Sequence, residues 1–223
     1  MYSYQGLTFG GVLTCERMTT RLMLDVFAAI IAPLRAAGCR TLSYKSIPAA
    51  YHRIPAEEDR YALFLANAVL YRRNILSVVQ MPPAIPPQAR RRRGAAKASK
   101  LGVAVSHPED SAGYWALLAD HLEERFGVPP VHGLAEIEHL RRRFPGNIRL
   151  HIASLEQEIL AGTVVFESTR VAHVQYIASS ARGRDLGALD TLFLHLLQET
   201  YAAKAFSISA ARTSRTERSS TAA

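Results

Sequence analysis

The chain has 223 residues, 48% of them hydrophobic and 21% charged, with a formal net charge of +8. That is the composition of a soluble globular protein able to bury one good core or two small ones. No apolar run approaches the ~20 residues needed to span a bilayer, and no basic, apolar leader opens the chain, so a cytoplasmic protein is expected.

In chain order, Thr20 to Ala37 reads as a helix: Leu22, Val26, Ile30 and Leu34 recur at helical spacing, Pro33 disturbs the last turn and Gly38 stops it. Arg40 to Ile47 reads as a strand ended by Pro48, Glu57 to Leu70 as a helix, and Arg73 to Gln80 as a strand. The pairs Pro82-Pro83 and Pro86-Pro87 then make a stiff link. A basic helix from Arg90 to Lys100 and a strand from Val103 to Ser106 follow. Pro108 precedes a helix lined by Tyr114, Leu117, Leu118, His121, Leu122 and Phe126. Leu134, Ile137, Leu140 and Phe144 mark a shorter helix, and Ile148 to Ser154 a strand. Ile159–Glu167 and Val171–Ala178 read as two further strands around the polar break Ser168-Thr-Arg170. A last helix carries Leu186, Leu189, Phe193, Leu196 and Leu197 on one face. Alternating elements with antiparallel hairpins give a mixed α/β (α+β) fold.

The charge is local. The run Arg90, Arg91, Arg92, Arg93, Lys97 and Lys100 supplies six of the eight positive charges, and the stretch after Phe206 supplies the other two. The high pI therefore says little about the main fold. Such a run is usually a solvated helix face, and it lacks the interleaved aromatics that stack on bases. Cys15 and Cys39 read as two free thiols of a reducing compartment. With no HExxH and no CxxC, no metal site is expected, and there is no P-loop and no GxSxG.

The passage from strand to helix at residues 179–188 carries the chemistry. A chain delivered from a strand into a helix start leaves backbone N–H groups without partners, and these favour an anion such as a pyrophosphate. Ser179, Ser180, Arg182, Gly183, Arg184, Gly187 and Ala188 are the candidates for that anion site, the glycines by allowing close backbone approach. Arg184-Asp-Leu-Gly187-Ala-Leu189 resembles the first half of the Arg/Gln-x-x-Gly-x-Gly/Ala turn of the GNAT acetyltransferases. Gly6-Leu-Thr-Phe-Gly-Gly11, Tyr44-Lys-Ser-Ile-Pro48, Tyr51-His52 and Pro55-Ala-Glu-Glu-Asp59 extend the resemblance. So do Phe144 to Leu150, Glu158 to Gly162, Val171 to Ser179 and Leu186 to Asp190. In order, from about Tyr4 to Phe206, they are similar to a FemAB-like (BioF-like) branch of that superfamily.

The resemblance implies an acyltransferase using acyl-CoA, such as acetyl-CoA, with a small-molecule or peptide acceptor that offers an amine or hydroxyl. It implies two GNAT-like halves packed side by side: residues 1–89, an incomplete first half, and residues 90–206, the acyltransferase half. Glu167, His173 and Tyr176 have the chemistry of a base or of a donor to the thioester oxygen. Strand alternation puts His173 and Gln175 on one face and Val174 and Tyr176 on the other. Taken singly, each is explained slightly better by hydrogen bonds satisfied within a packed sheet. Tyr44, Lys45, Tyr51, His52 and Gln175 are candidates for acceptor binding, with packing at a strand end as the alternative for the first four. An aminoacyl-tRNA donor is the second reading, supported here by the basic run alone, and a non-catalytic fragment is the third.

Residues 207–223 are rich in Ser, Thr, Arg and Ala, with Ile208 the one large apolar residue, so disorder is expected. The family resemblance demands a strand at this point. Written in GC-rich synonymous codons and read after restoring one T, the tail becomes Phe-Asp-Phe-Gly-Ser-Ser-Asn-Glu-Pro-Asp-Gly, a strand and loop of the required kind. The expectation is an out-of-frame tail, a second half lacking its last strand, and a chain shortened at both ends.

Overall fold

The computed structural model describes residues 9–73 and 75–210. The chain divides into two compact units, Met1–Arg73 and Asn74–Ala223. The division falls before the proline-rich link expected to mark it, so the strand expected in the first half belongs to the second.

In the first unit, helix α1 (Thr20–Ala36) starts at Thr19, whose side chain accepts from the Leu22 N–H. Helix α2 (Glu58–Leu65) has Glu58 and Asp59 in its first turn, the favourable end for acidic groups. Met23, Phe27 and Ala62 form the small core, with Val12, Met18 and Tyr44 packed against it. The expected strand Arg40–Ile47 shrinks to an isolated bridge at Ser43, and α2 ends at Leu65 rather than Leu70. Among the described residues, this unit holds no sheet of the kind a GNAT-like half would need. Cys15 and Cys39 are both free thiols.

The second unit is built on one six-stranded mixed sheet. Its strands are β1 (Leu76–Gln80), β2 (Ala104–Ser106), β3 (Ile148–Leu155), β4 (Glu158–Glu167), β5 (Val171–Ser179) and β6 (Phe206–Ala210), in the order β1-β6-β5-β4-β3-β2. β5 and β6 are the parallel pair, and the other neighbours run antiparallel. On one face, α3 (Ala89–Lys100) and α7 (Ala188–His195) cover Ala153, Ala161, Val165, Ala172 and Val174. On the other, α4 (Ala112–Phe126) and α5 (Leu134–Arg143) cover Ile148, Leu150, Ile152, Val164, Tyr176 and Ala178. β3, β4 and β5 are apolar on both faces because both are covered.

The tail is where the sequence reading fails. Residues 206–210 form β6 and fill the place next to β5 that was expected to be empty. Phe206-Ser-Ile-Ser-Ala210 alternates apolar and small polar residues, a period-two pattern easily lost in a stretch so rich in Ser, Thr and Arg. The backbone of a buried β5 needs a ladder partner, and β6 supplies it through Val171 to Val174. Residues 211–223 lie outside the described residues. The last helix is also broken. After α6 (Ala181–Leu186), Gly187 takes φ +78°, α7 follows, and Leu196–Thr200 forms a π-helical turn. None of the described helices is long and apolar enough to cross a membrane.

Candidate functional site

Among the described residues, β5 pairs with β6 from Val171 to Val174 and with β4 from Ala172 to Ser179. Val165 faces Val174 and Val164 faces Tyr176, so Gln175 is an extra residue bulging from β5. A bulge leaves its residue out of the ladder and re-aims its neighbours.

The bulge also rearranges the faces. Strict alternation separates His173 from Tyr176. In the structure His173 lies opposite Phe166 and Tyr176 opposite Val164, and those two β4 residues share the α4–α5 face. His173 and Tyr176 are thus on one face, both buried. The Gln175 carboxamide joins them: it raises the pKa of His173, as an acceptor does, and lowers that of Tyr176, as a donor does. Burial is the larger effect on each. It holds His173 below the usual histidine range and pushes the Tyr176 hydroxyl up. At neutral pH the imidazole is therefore uncharged and the phenol protonated.

Sequence reasoning missed two partners. His132, in the loop between α4 and α5, is buried, and its Nδ1 hydrogen-bonds the Tyr176 hydroxyl. Trp115 of α4 packs its ring edge-on to Tyr176, with centroids 5.3 Å apart. Pro129-Pro130 and Gly133 marked the loop but gave no hint of what His132 would reach. Beneath them Tyr114 is fully buried, its ring over Gly162 where a β-carbon would collide with it.

Glu167 is elsewhere. It points to the α7 face, where Arg149 Nε lies 3.1 Å from Oε1, Lys204 Nζ lies 3.3 Å from Oε2, and the Tyr201 hydroxyl donates to Oε1 at 3.0 Å. Tyr201 in turn meets His151 Nε2 at 2.6 Å, and His151 Nδ1 meets His107 Nδ1 at 2.6 Å. With Tyr201 donating to the carboxylate, His151 donates from Nε2 and accepts from His107. This is a structural chain on the opposite face of the sheet, and it does not bring Glu167 to His173 and Tyr176.

The turn after β5 is stiffly built. Ser180 caps α6 by accepting from the Gly183 N–H at 3.0 Å, and Arg184 donates to the Ser179 carbonyl at 2.9 Å. Ser179 donates to the Leu160 carbonyl at 3.2 Å, and Arg182 is paired with Glu158. Both glycines make close approaches, but to the protein itself. A β-carbon on Gly183 would strike the Leu160 carbonyl of β4, and one on Gly187 would lie 2.7 Å from the Gly94 carbonyl of α3. Ala188 is buried behind them. Ala181 and Arg182 lie at the exposed start of α6.

Of the proposed acceptor residues in the first unit, Tyr44 is a latch. Its hydroxyl accepts from the Val12 N–H at 2.9 Å and donates to Asp59 at 3.0 Å, with burial pushing its pKa to about 12. Tyr51 packs edge-on against Phe9, and burial raises its pKa. Lys45 accepts from the Gly10 N–H through its carbonyl, and His52 donates its own N–H to Ala49.

The family model for the acetyltransferase (GNAT) domain matches residues 88–210, from the start of α3 to the end of the described β6. The chain belongs to the GNAT acetyltransferase family. That match covers more than half of the 223 residues and ends with β6. The fold of this GNAT protein is that of FemAB-like structures. FemX aligns with a TM-score of 0.60 over 95% of this chain and 77% of its own, at 10% identity. The C-terminal domain (DUF2156) of a putative lysylphosphatidylglycerol synthetase from Agrobacterium fabrum aligns with a TM-score of 0.59 and 14% identity. That alignment takes in 83% of this chain, which spans 58% of the length of that structure. No curated protein matches the chain.

Proposed function

We propose that this protein transfers an acyl group from acyl-CoA to an amine or hydroxyl on the α4–α5 face of β5. One observation carries the reading: the bulge at Gln175 puts His173, Gln175 and Tyr176 together. Acyl-CoA supplies an activated thioester. Backbone N–H groups of β5 around the bulge would polarise the thioester oxygen. Neutral His173 accepts the proton that the attacking amine or hydroxyl loses. Tyr176, protonated and held by His132, gives its proton to the sulfur as the carbon–sulfur bond breaks. The start of α6, with the N–H groups of Ala181 and Arg182, is the proposed seat of the pyrophosphate. Gly183 and Gly187 serve that seat indirectly, by fixing α6 against β4 and α3.

Calorimetry with acetyl-CoA and release of free thiol test this. Tyr176→Phe should bind acetyl-CoA as the parent does and lose about a hundredfold or more in thiol release. Absence of acetyl-CoA binding to the folded parent would reject the reading. A second reading, an aminoacyl-tRNA donor, draws on α3, where Arg91 is paired with Asp190 but Arg90, Arg92 and Arg93 are exposed. A salt-sensitive tRNA shift without acetyl-CoA binding would favour it.

A further inference from the structure

Tyr176 brings three hydrogen-bond contacts to one oxygen. Its hydroxyl meets His132 Nδ1. Burial, the largest effect, raises its pKa, and the charge of Glu136 adds to this, whereas the His132 N–H and the Gln175 carboxamide favour the ionised oxygen, as donors do. A phenol oxygen has two lone pairs and one proton. With those two donors in place, a neutral Tyr176 satisfies Nδ1 only by giving it that proton. A phenolate has no proton and a third lone pair, and it accepts from three donors. Packing fixes the contacts. The His132 and Tyr176 rings stand at 88° with centroids 5.9 Å apart, and the Trp115 ring bears edge-on against Tyr176. His132 is 4% exposed and Tyr176 8%, so all three contacts are made away from bulk water.

Tyr176 cannot give its one proton both to Nδ1 and to a departing sulfur. In the acyl-transfer reading, on which this inference rests, the sulfur takes it. Nδ1 must then carry a hydrogen of its own and aim it at the phenol oxygen. We infer that His132, as its Nδ1–H tautomer, is the third donor of a cradle shaped for the phenolate of Tyr176. As the carbon–sulfur bond breaks, its electron pair goes to sulfur and the phenol proton follows. The charge left on the Tyr176 oxygen then meets three hydrogens, from the His132 N–H, the His132 Nδ1–H and the Gln175 carboxamide. Afterwards the proton taken up by His173 passes to solvent, and solvent restores the phenol. In the resting phenol three donors face two lone pairs, so the third contact is completed only as charge develops. Such a contact lowers the barrier without tightening the bound ground state. His132 acts through Tyr176, as a positioning residue, and no proton leaves it in the step.

Two measurements on the full chain test this. The first is nitrogen NMR of the parent with isotope-labelled histidine, His132 being identified by its contact with the Tyr176 ring. A hydrogen on Nδ1 is expected. A bare Nδ1 overturns the proposal whatever the kinetics, because the phenol proton is then committed to His132. The second compares His132→Asn with His132→Leu, which have nearly the same shape. They differ in the N–H that Asn can place where Nδ1 stood. With acetyl-CoA and hydroxylamine as the nucleophile, His132→Leu should release thiol about a hundredfold more slowly than the parent. His132→Asn should restore most of that loss, and calorimetry should find acetyl-CoA affinity unchanged in both. Trp115 fluorescence checks that the variants are folded. Equal losses in the two variants, or a loss that follows acetyl-CoA affinity, makes His132 a packing residue and overturns the proposal. A parent that neither binds acetyl-CoA nor releases thiol rejects the acyl-transfer reading, and the state of Nδ1 then decides the cradle by itself.

Discussion

Replacing Gly187 by Ala separates two penalties that the structure predicts for this residue. The first is conformational: φ is +78°, where a side chain costs about 1–2 kcal/mol. The second is steric, since a new β-carbon would sit 2.7 Å from the Gly94 carbonyl oxygen and 2.9 Å from its carbon. The obstacle is backbone, not the yielding tip of a side chain, so α3 and the α6–α7 corner must part, at about 1–3 kcal/mol for overpacking. Gly127 is the control: it ends α4 at φ +64°, and a methyl placed there would meet nothing within 4 Å, so Gly127→Ala faces the first penalty alone. The assay is urea unfolding followed by Trp115, the one tryptophan, which lies in α4 of the sheet unit. Gly187→Ala should be less stable than Gly127→Ala by about 1–3 kcal/mol. Equal stability of the two would refute the claim that Gly187 is required by the approach of α3.

Stability should fall in acid through His151. Its folded pKa is about 3 against an ordinary 6.5, chiefly because it is buried and then because His107 and Arg149 are near. Above pH 6.5 neither state is protonated and no penalty exists. As pH falls from 6.5 toward 3 the unfolded chain takes the proton first, a loss of about 2 kcal/mol at pH 5. Unfolding of His151→Asn between pH 7 and pH 5 should show a flatter dependence than the parent; an identical slope would contradict this. Glu167→Gln should destabilise by about 1–3 kcal/mol, discounted for the half-exposed Arg149, with thiol release reduced no more than the folded fraction. Parent-like stability with abolished release would instead make Glu167 part of the chemistry. Ser180→Ala should cost about 1 kcal/mol in the same unfolding assay, because it removes the cap on the Gly183 N–H; no change would mean that the cap is idle.

Long periodic elements were legible in the sequence. α1, α3, α4 and α5, and the β3–β4–β5 meander, follow from apolar spacing and from stops such as Gly127. The turn after β5 was legible as a corner, and its resemblance to the GNAT pattern led to the right family. The purpose of its glycines was not, because sequence reveals that a residue lacks a β-carbon but not what approaches it. The pairing of His173 with Tyr176 was invisible for a related reason: one inserted residue, Gln175, inverts the alternation beyond it, and nothing in Val-Gln-Tyr announces a bulge. His132 and the His107–His151–Tyr201 chain join residues 44 and 50 positions apart, which local patterns do not encode. β6 was missed because its strand character comes from demand: the β5 backbone must be paired, and Ser-rich residues suffice to pair it.

The position of β6 has a consequence for how the sheet unit assembles. It follows every other described strand in sequence, yet it is hydrogen-bonded on both sides, with Leu76 opposite Ala210 on one side and Val171 opposite Phe206 on the other. β1 therefore waits for a partner more than a hundred residues downstream, and its ladder forms only after the β2–β5 meander has emerged. Such late, non-local closure slows folding and leaves two strand edges open on the ribosome. Chaperone dependence during synthesis, and sensitivity to any change between Phe206 and Ala210, should accordingly exceed what the small size of that strand suggests.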